Sequence, residues 1–203
     1  MTEDMQNATY LFEQPSRIFK NSESRWTAMA QMCLLYLSRN NSEQLPVYKS
    51  DTDGYLSKEG SLLISGFEFT NTVCEQKLKG EIFEIDSFEN KFNHICPDIL
   101  RVDKKEKQVT IIEIKTLSES VQRNLNLYSD LKKYLSSKPN WKCDLFYLLS
   151  HGHEQRNDWP ALARINANII LWEDLFSLMK DTPIAYLLGD KLQEYCDPPA
   201  QRG

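Results

Sequence analysis

The stretch ICPDILRVDKKEKQVTIIEIK, residues 95–115, decides the fold. Its two ends are rich in apolar and β-branched residues, and its middle, 103–107, is the charged run DKKEK. This pattern predicts two strands, 95–102 and 109–114, that are joined by a short turn. Strands joined in this way run antiparallel and lie side by side. The hairpin therefore predicts two neighbouring strands of a β-sheet.

Helical periodicity is present on both sides of this hairpin. Before it, apolar residues recur every three or four positions between Trp26 and Leu37, and after it the same spacing runs from Val121 to Leu135. Apolar residues at this spacing lie on one face of an α-helix. Further helices are predicted at 2–20, 172–179 and 183–195.

Two more short apolar runs, 144–149 and 167–171, predict further strands. The stretch 43–60 is polar and is interrupted by proline and glycine, so it predicts loops and turns. Residues 61–77 are ambiguous between strand and helix. This order of elements predicts an α/β (α+β) fold, in which a mixed sheet of four or five strands has helices packed around it.

The chain length of 203 residues predicts one domain. We expect this domain to occupy 1–196, with a helical front at 1–80, a sheet core at 95–172 and C-terminal helices at 173–196. We expect residues 197–203 to form a flexible tail and to be the point at which a longer chain has been cut.

The composition excludes several classes of protein. Hydrophobic residues make up 41% of the chain and charged residues 26%, which is typical of a globular domain rather than a disordered one. The sequence has no run of about 18 apolar residues that would cross a membrane, and its first residues lack the pattern of a secretory signal. The net charge of −5 argues against a protein that coats nucleic acid non-specifically.

The cysteines and the absence of common enzyme motifs narrow the choice further. Five cysteines, odd in number and widely spaced, predict reduced thiols rather than a disulfide framework or a zinc site. The sequence has no phosphate-binding GxxxxGK[ST] loop and no GxGxxG, GxSxG or HExxH motif, which disfavours the enzymes that depend on them.

Three charged side chains are predicted to meet at one end of the hairpin. Asp98 opens the first strand, and Glu113 and Lys115 close the second. In antiparallel neighbours the start of one strand lies beside the end of the next, and residues two apart on a strand project from the same face. Two carboxylates and one ammonium group should therefore converge.

Such a group of charges suggests metal-dependent chemistry. Neighbouring carboxylates repel each other unless a cation lies between them or one takes up a proton. Oxygen ligands suit Mg²⁺ or Mn²⁺, and a bound divalent ion acidifies a water molecule and holds a phosphate oxygen. Lys115 would then orient that water or stabilise charge on the phosphate. The prediction is phosphodiester hydrolysis; the alternative is that each residue is a solvated charge at a strand end.

The segments CPD (96–98), TIIEIKT (110–116) and YSDLKKYL (128–135) together resemble the PD-(D/E)XK nuclease superfamily. Within it, the chain is most similar to the cap-snatching endonuclease domain at the N-terminus of the L polymerase of segmented negative-strand RNA viruses, of arenavirus-like and bunyavirus-like type. The resemblance covers about residues 22–175, and only the PD…ExK…helix core is specific.

The resemblance implies a role for several residues. Asp98 and Glu113 would bind one or two Mn²⁺ or Mg²⁺ ions, and the backbone carbonyl of Ile114 would be a further ligand. Lys115 corresponds to the lysine of the ExK motif. The family also has a lysine on the following helix, for which Lys132 is the candidate and Lys133 the alternative; a solvated helix face is the other reading of both.

A further acid comes from the helical front in this family. In relatives this acid lies in a segment after the first long apolar helix, and the acid of the matching segment here is Glu43; an exposed loop glutamate is the alternative reading. The other candidates are Glu23, Asp51 and Asp53.

Histidines separate the branches of the family. Many bunyavirus-like members carry a metal-binding histidine on the front helix, and the matching stretch here has none, so the chain resembles the histidine-lacking, arenavirus-like branch. His151 and His153 form a His-x-His pattern that also suggests metal, but a third ligand is not evident.

The resemblance implies an endonuclease that cuts single-stranded RNA, namely capped host mRNA, to prime viral transcription. Its partner would be the rest of a viral polymerase, its place the cytoplasm of an infected cell and the virion, and no membrane is expected. The isolated domain is expected to be a monomer. Two alternatives remain open: a nuclease of the same superfamily that acts on DNA in restriction, repair or defence, and a catalytically silent binding module of that fold.

Overall fold

The fold is that of a computed structural model of the chain. The structure describes residues 22–40, 44–68, 70–85, 88–115, 120–151, 153, 158–183 and 185, without the side chains of 22–25 and 123. The helices within them are α1 (Ser22–Asn40), α2 (Gly80–Phe83), α3 (Leu125–Ser136), α4 (Asp158–Arg164) and α5 (Trp172–Met179). The strands are β1 (Gln44–Ser50), β2 (Leu56–Leu63), β3 (Thr72–Cys74), β4 (Ile99–Asp103), β5 (Gln108–Ile114), β6 (Lys142–Leu149) and β7 (Asn168–Leu171).

All seven strands belong to one mixed sheet in the order β2-β1-β7-β6-β5-β4-β3. The strands β5, β6 and β7 are parallel to one another, and the other neighbouring strands are antiparallel. Parallel neighbours need a crossover connection, and α3 and α4 lie in the two crossovers. The prediction of a mixed sheet with helices around it is confirmed, whereas the prediction of four or five strands is wrong.

The error lies in the front of the chain. A helical front at 1–80 is wrong for residues 44–74, which contain β1, β2 and β3 and extend the sheet beyond the predicted core at 95–172. Pro46 made this stretch look like a loop. The sheet tolerates it because β1 pairs with β7 only through Tyr48, so the missing N–H of proline is not needed there.

Some predicted elements lie outside the described residues. They are the helix at 2–20, nearly all of the helix at 183–195, and the tail at 197–203.

The sheet separates two hydrophobic clusters. One packs beneath α1 and α5 and includes Ile112 and Ile114 of β5. The other packs beneath α3 and α4 and includes Val109 and Ile111 of the same strand. Successive side chains on a strand point to opposite faces, so β5 contributes to both clusters, and Glu113 follows Ile111 on the α3 face.

Two further sequence expectations concern cysteines and membranes. Four cysteines fall among the described residues and all are free thiols: Cys33, Cys74, Cys96 and Cys143. In the same part of the chain, no helix is both long enough and apolar enough to cross a membrane.

The central strands should carry most of the stability. Leu148 on β6 is fully buried, so Leu148→Ala is expected to lower the free energy of unfolding by about 2–5 kcal/mol, because it removes apolar contacts and leaves a cavity. The measurement is denaturation by urea. Leu63→Ala on the edge strand β2 is the control, since Leu63 is exposed and its loss should cost about 0.5 kcal/mol or less. Equal losses in both variants would contradict this account of the core.

Candidate active site

Two acidic side chains lie opposite each other at one end of the β4–β5 hairpin. The antiparallel register pairs Ile99 with Ile112, and its next step places Asp98 beside Glu113. Only 7% of Asp98 and 6% of Glu113 is exposed. Burial of two carboxylates is costly unless hydrogen bonds and cations compensate them, so their contacts define the site.

Asp98 is bound by hydrogen bonds from two elements. Its Oδ2 accepts from the backbone N–H of Ile114 on β5 at 2.7 Å, and its Oδ1 accepts from the hydroxyl of Thr27 on α1 at 3.3 Å. The carboxylate of Asp98 therefore connects helix α1 to the end of the sheet through these two hydrogen bonds.

The peptide of Ile114 also faces Asp98. The N–H of Ile114 points to Asp98, while the next N–H, of Lys115, donates to Leu148 on β6. The N–H and C=O of one residue in a strand point to the same neighbour. The Ile114 carbonyl thus lies on the side of Asp98, where its predicted role as a metal ligand would require it.

Glu113 is held on both of its oxygens. Its Oε1 lies 2.9 Å from the ammonium of Lys115, and its Oε2 accepts a hydrogen bond from the hydroxyl of Tyr128 on α3 at 2.7 Å. The structure thus brings Asp98, Glu113 and Lys115 together, between α1 on one face of the sheet and α3 on the other.

A third acidic residue, Glu75, adjoins Asp98 through its backbone. It follows β3, where its backbone N–H donates to the carbonyl of Asp98 at 3.2 Å, and its side chain is exposed. Burial and then Glu75 and Asp98, with a weaker effect of Glu113, raise the pKa of the Cys96 thiol, so all three acids lie in the surroundings of Cys96.

The donor atoms suit a hard divalent ion. Asp98, Glu113 and the Ile114 carbonyl offer oxygen only, and Mg²⁺ is commonly held by one or two carboxylates together with water and phosphate oxygens. Among the described residues, no three His, Cys, Asp or Glu side chains lie close enough together to form a complete metal site. The pair fits such an ion, and any third protein ligand must come from a side chain that moves or lies outside this set.

The candidates for the front acid have different positions. Glu43 lies outside the described residues, and the side chain of Glu23 is not described, although its position is one helical turn before Thr27 on α1. Asp51 and Asp53 lie in the β1–β2 turn, where Asp51 Oδ1 accepts from two backbone amides of that turn. The turn follows β1, which is three strand positions from β5, so these two acids are not placed beside Asp98.

The two lysines on α3 are also separate from the acids. Burial and then the charge of the Lys132 ammonium lower the pKa of Lys49. The same ammonium acts to lower the pKa of the Cys143 thiol, against the larger effect of burial. Lys132 therefore lies toward the start of β6. Cys143 pairs with Val109, four residues before Glu113 and so about 13 Å along β5. Lys133 is exposed.

The remaining charged candidates belong to other parts of the fold. His153 is buried, and its Nε2 lies 2.9 Å from Asp158, while the backbone N–H of His151 donates to Glu173. The lysines of the β4–β5 turn lie at the end of the hairpin opposite Asp98, and one of them, Lys104, pairs with Glu84 at 2.8 Å.

Sequence reasoning missed three residues at the site: Thr27, Glu75 and Tyr128. Thr27 and Glu75 carry no sequence signal, because their proximity to Asp98 arises from tertiary packing. Tyr128 did carry one. It lies in the apolar stripe of α3, and a tyrosine buried in such a stripe usually needs a partner for its hydroxyl.

Comparisons of the chain with protein-family models, with curated protein sequences and with solved structures find no match in any of the three. Support for the site therefore comes from its geometry.

The proximity of Glu75 to Cys96 can be tested by thiol chemistry. Glu75→Gln removes a negative charge, so the Cys96 pKa should fall, the thiolate fraction below that pKa should rise, and iodoacetamide should alkylate Cys96 about two- to threefold faster at pH 8. Lys77→Gln should slow the reaction, because Lys77 lowers the same pKa. Mass spectrometry of the Cys96 peptide gives the rates. Unchanged rates in both variants would contradict this arrangement of charges.

Proposed function

We propose that this protein is a divalent-metal-dependent endonuclease of the PD-(D/E)XK type that hydrolyses single-stranded RNA. The observation that best supports the proposal is the buried pair of Asp98 and Glu113, with the Lys115 ammonium 2.9 Å from Glu113. Buried acids with a lysine at the end of a sheet are the groups that metal-assisted phosphodiester hydrolysis requires.

Asp98, Glu113 and Lys115 would have different roles in the reaction. Asp98, Glu113 and the Ile114 carbonyl would hold one or two Mn²⁺ or Mg²⁺ ions. Such an ion, when bound, acidifies water and neutralises charge on a phosphate. Lys115 would orient the attacking water or stabilise negative charge on the phosphate oxygens as the phosphorus–oxygen bond breaks. Thr27 and the N–H of Ile114 would keep Asp98 in place for this task.

The finer parts of the proposal are supported by the resemblance rather than by contacts in the structure. We infer that the substrate is capped mRNA, that the fragments prime viral transcription, and that the domain works in the cytoplasm as part of a viral polymerase. The net charge of −5 is consistent with an RNA path that is completed by basic surfaces of that polymerase. Lys132 or Lys133 would act in this reaction only if its side chain extended from α3 to the acids.

Metal binding gives the first test. Mn²⁺ at about one hundred times its dissociation constant should add about 2.7 kcal/mol to the free energy of unfolding, because it binds only the folded chain. For a chain of this size that corresponds to a rise in Tm of roughly 5–10 °C. Asp98→Ala and Glu113→Ala should each abolish most of the rise. Glu106→Gln, an exposed residue of the β4–β5 turn, is the control and should keep it.

Cleavage gives the second test. With Mn²⁺ present, the wild type should cut single-stranded RNA, and Lys115→Ala should cut roughly 10²–10³-fold more slowly while it keeps the rise in Tm. Cleavage of single-stranded DNA of the same base sequence is measured in parallel. Equal or better cleavage of DNA would favour the restriction, repair or defence alternative. No rise in Tm and no cleavage would leave the binding module as the better account.

A further inference from the structure

Tyr128 lies on α3 directly beside Glu113. It is almost completely buried, with 1% of its surface exposed, and its hydroxyl donates to Glu113 Oε2 at 2.7 Å. Burial and then the charge of Glu113 raise the pKa of Tyr128 above its ordinary value. A phenol hydroxyl carries a proton and a carboxylate only accepts, so Tyr128 is the donor in this bond.

The two contacts of Glu113 differ in rigidity. Lys115, which contacts Oε1, has a long side chain with many rotamers. Tyr128 has a rigid ring, and that ring is fixed in the hydrophobic cluster beneath α3. The rigid ring of Tyr128 therefore holds the Glu113 carboxylate against α3, the helix that follows β5 in the chain, at a sequence separation of 15 residues.

We propose that Tyr128 is a positioning residue for Glu113: its hydroxyl holds Oε2 and thereby fixes the carboxylate in the orientation in which it binds a divalent ion. This inference rests on the proposed function. A carboxylate ligand that is itself hydrogen-bonded loses less freedom on binding, and loss of such an outer partner typically weakens metal binding roughly 10- to 100-fold.

Tyr147 provides a matched control. It pairs with Glu113 across the parallel β5–β6 ladder and is 1% exposed. Burial and then Glu113 raise its pKa as well. Its hydroxyl, however, has no hydrogen-bond partner among the described residues. Tyr128→Phe and Tyr147→Phe therefore delete the same atom from two buried tyrosines near one carboxylate, and only the first deletion removes a hydrogen bond to it.

For the wild type and both variants, the dissociation constant of Mn²⁺ is measured by calorimetry. The concentration of free Mn²⁺ is measured independently by electron paramagnetic resonance. We expect Tyr128→Phe to raise the dissociation constant roughly 10- to 100-fold and Tyr147→Phe to change it less than about twofold. The unfolding free energy of each metal-free variant is measured first. A purely structural role of Tyr128 would lower that energy and leave the dissociation constant of the folded protein unchanged, which would overturn the proposal.

The other outcomes are also decisive. If both variants weaken binding equally, the effect is not specific to the hydrogen bond and the proposal is overturned. If the wild type itself binds no Mn²⁺, the proposed function fails, and the role of Tyr128 fails with it. This result differs from failure of the Tyr128 proposal alone, in which the wild type binds Mn²⁺ and Tyr128→Phe binds it equally well. If Tyr128→Phe does not fold, the ultraviolet difference spectrum on Mn²⁺ addition decides. A tyrosine signal that persists in Tyr147→Phe supports the proposal, and its absence overturns it.

Discussion

The pairing of β4 with β5 is the constraint on which the candidate site depends. It places Asp98 beside Glu113, and the hydrogen bond from the Ile114 N–H to Asp98 closes the ladder at that end. A shift of the register by one residue would turn the apolar side chains of β5 to the wrong faces and separate the two acids. The register that forms the two hydrophobic clusters therefore also brings the two acids together.

The acids in turn connect the layers of the fold. Asp98 accepts a hydrogen bond from Thr27 on α1, and Glu113 accepts one from Tyr128 on α3, so each carboxylate joins the sheet to a helix on a different face. Together with Lys115 these donors offset the cost of burying the two carboxylates. The same donors restrict the motion of the carboxylates, which is the property that a metal ligand or a catalytic group needs.

Charged side chains lie at both ends of the β4–β5 hairpin. The acids and Lys115 lie at one end of the β4–β5 hairpin, and the lysines of its turn lie at the other end. Under the proposed function, neutralisation of a nucleic acid bound at the acids would depend on metal ions, on Lys115 and on surfaces beyond this hairpin.

The sequence by itself determined the central hairpin and the convergence of Asp98, Glu113 and Lys115, because a short turn fixes which strands pair and a period of two fixes which residues share a face. It did not determine the strands at 44–74. Pro46 interrupts the pattern of β1, although β1 and β2 form a local hairpin, and β3 pairs with β4 across the intervening residues 75–98. Only the tertiary structure brought Thr27, Glu75 and Tyr128 to the acids. The contact of Thr27 with Asp98 joins residues 71 apart in the chain. It depends on how α1 packs on the sheet, for which local propensity and periodicity carry no information.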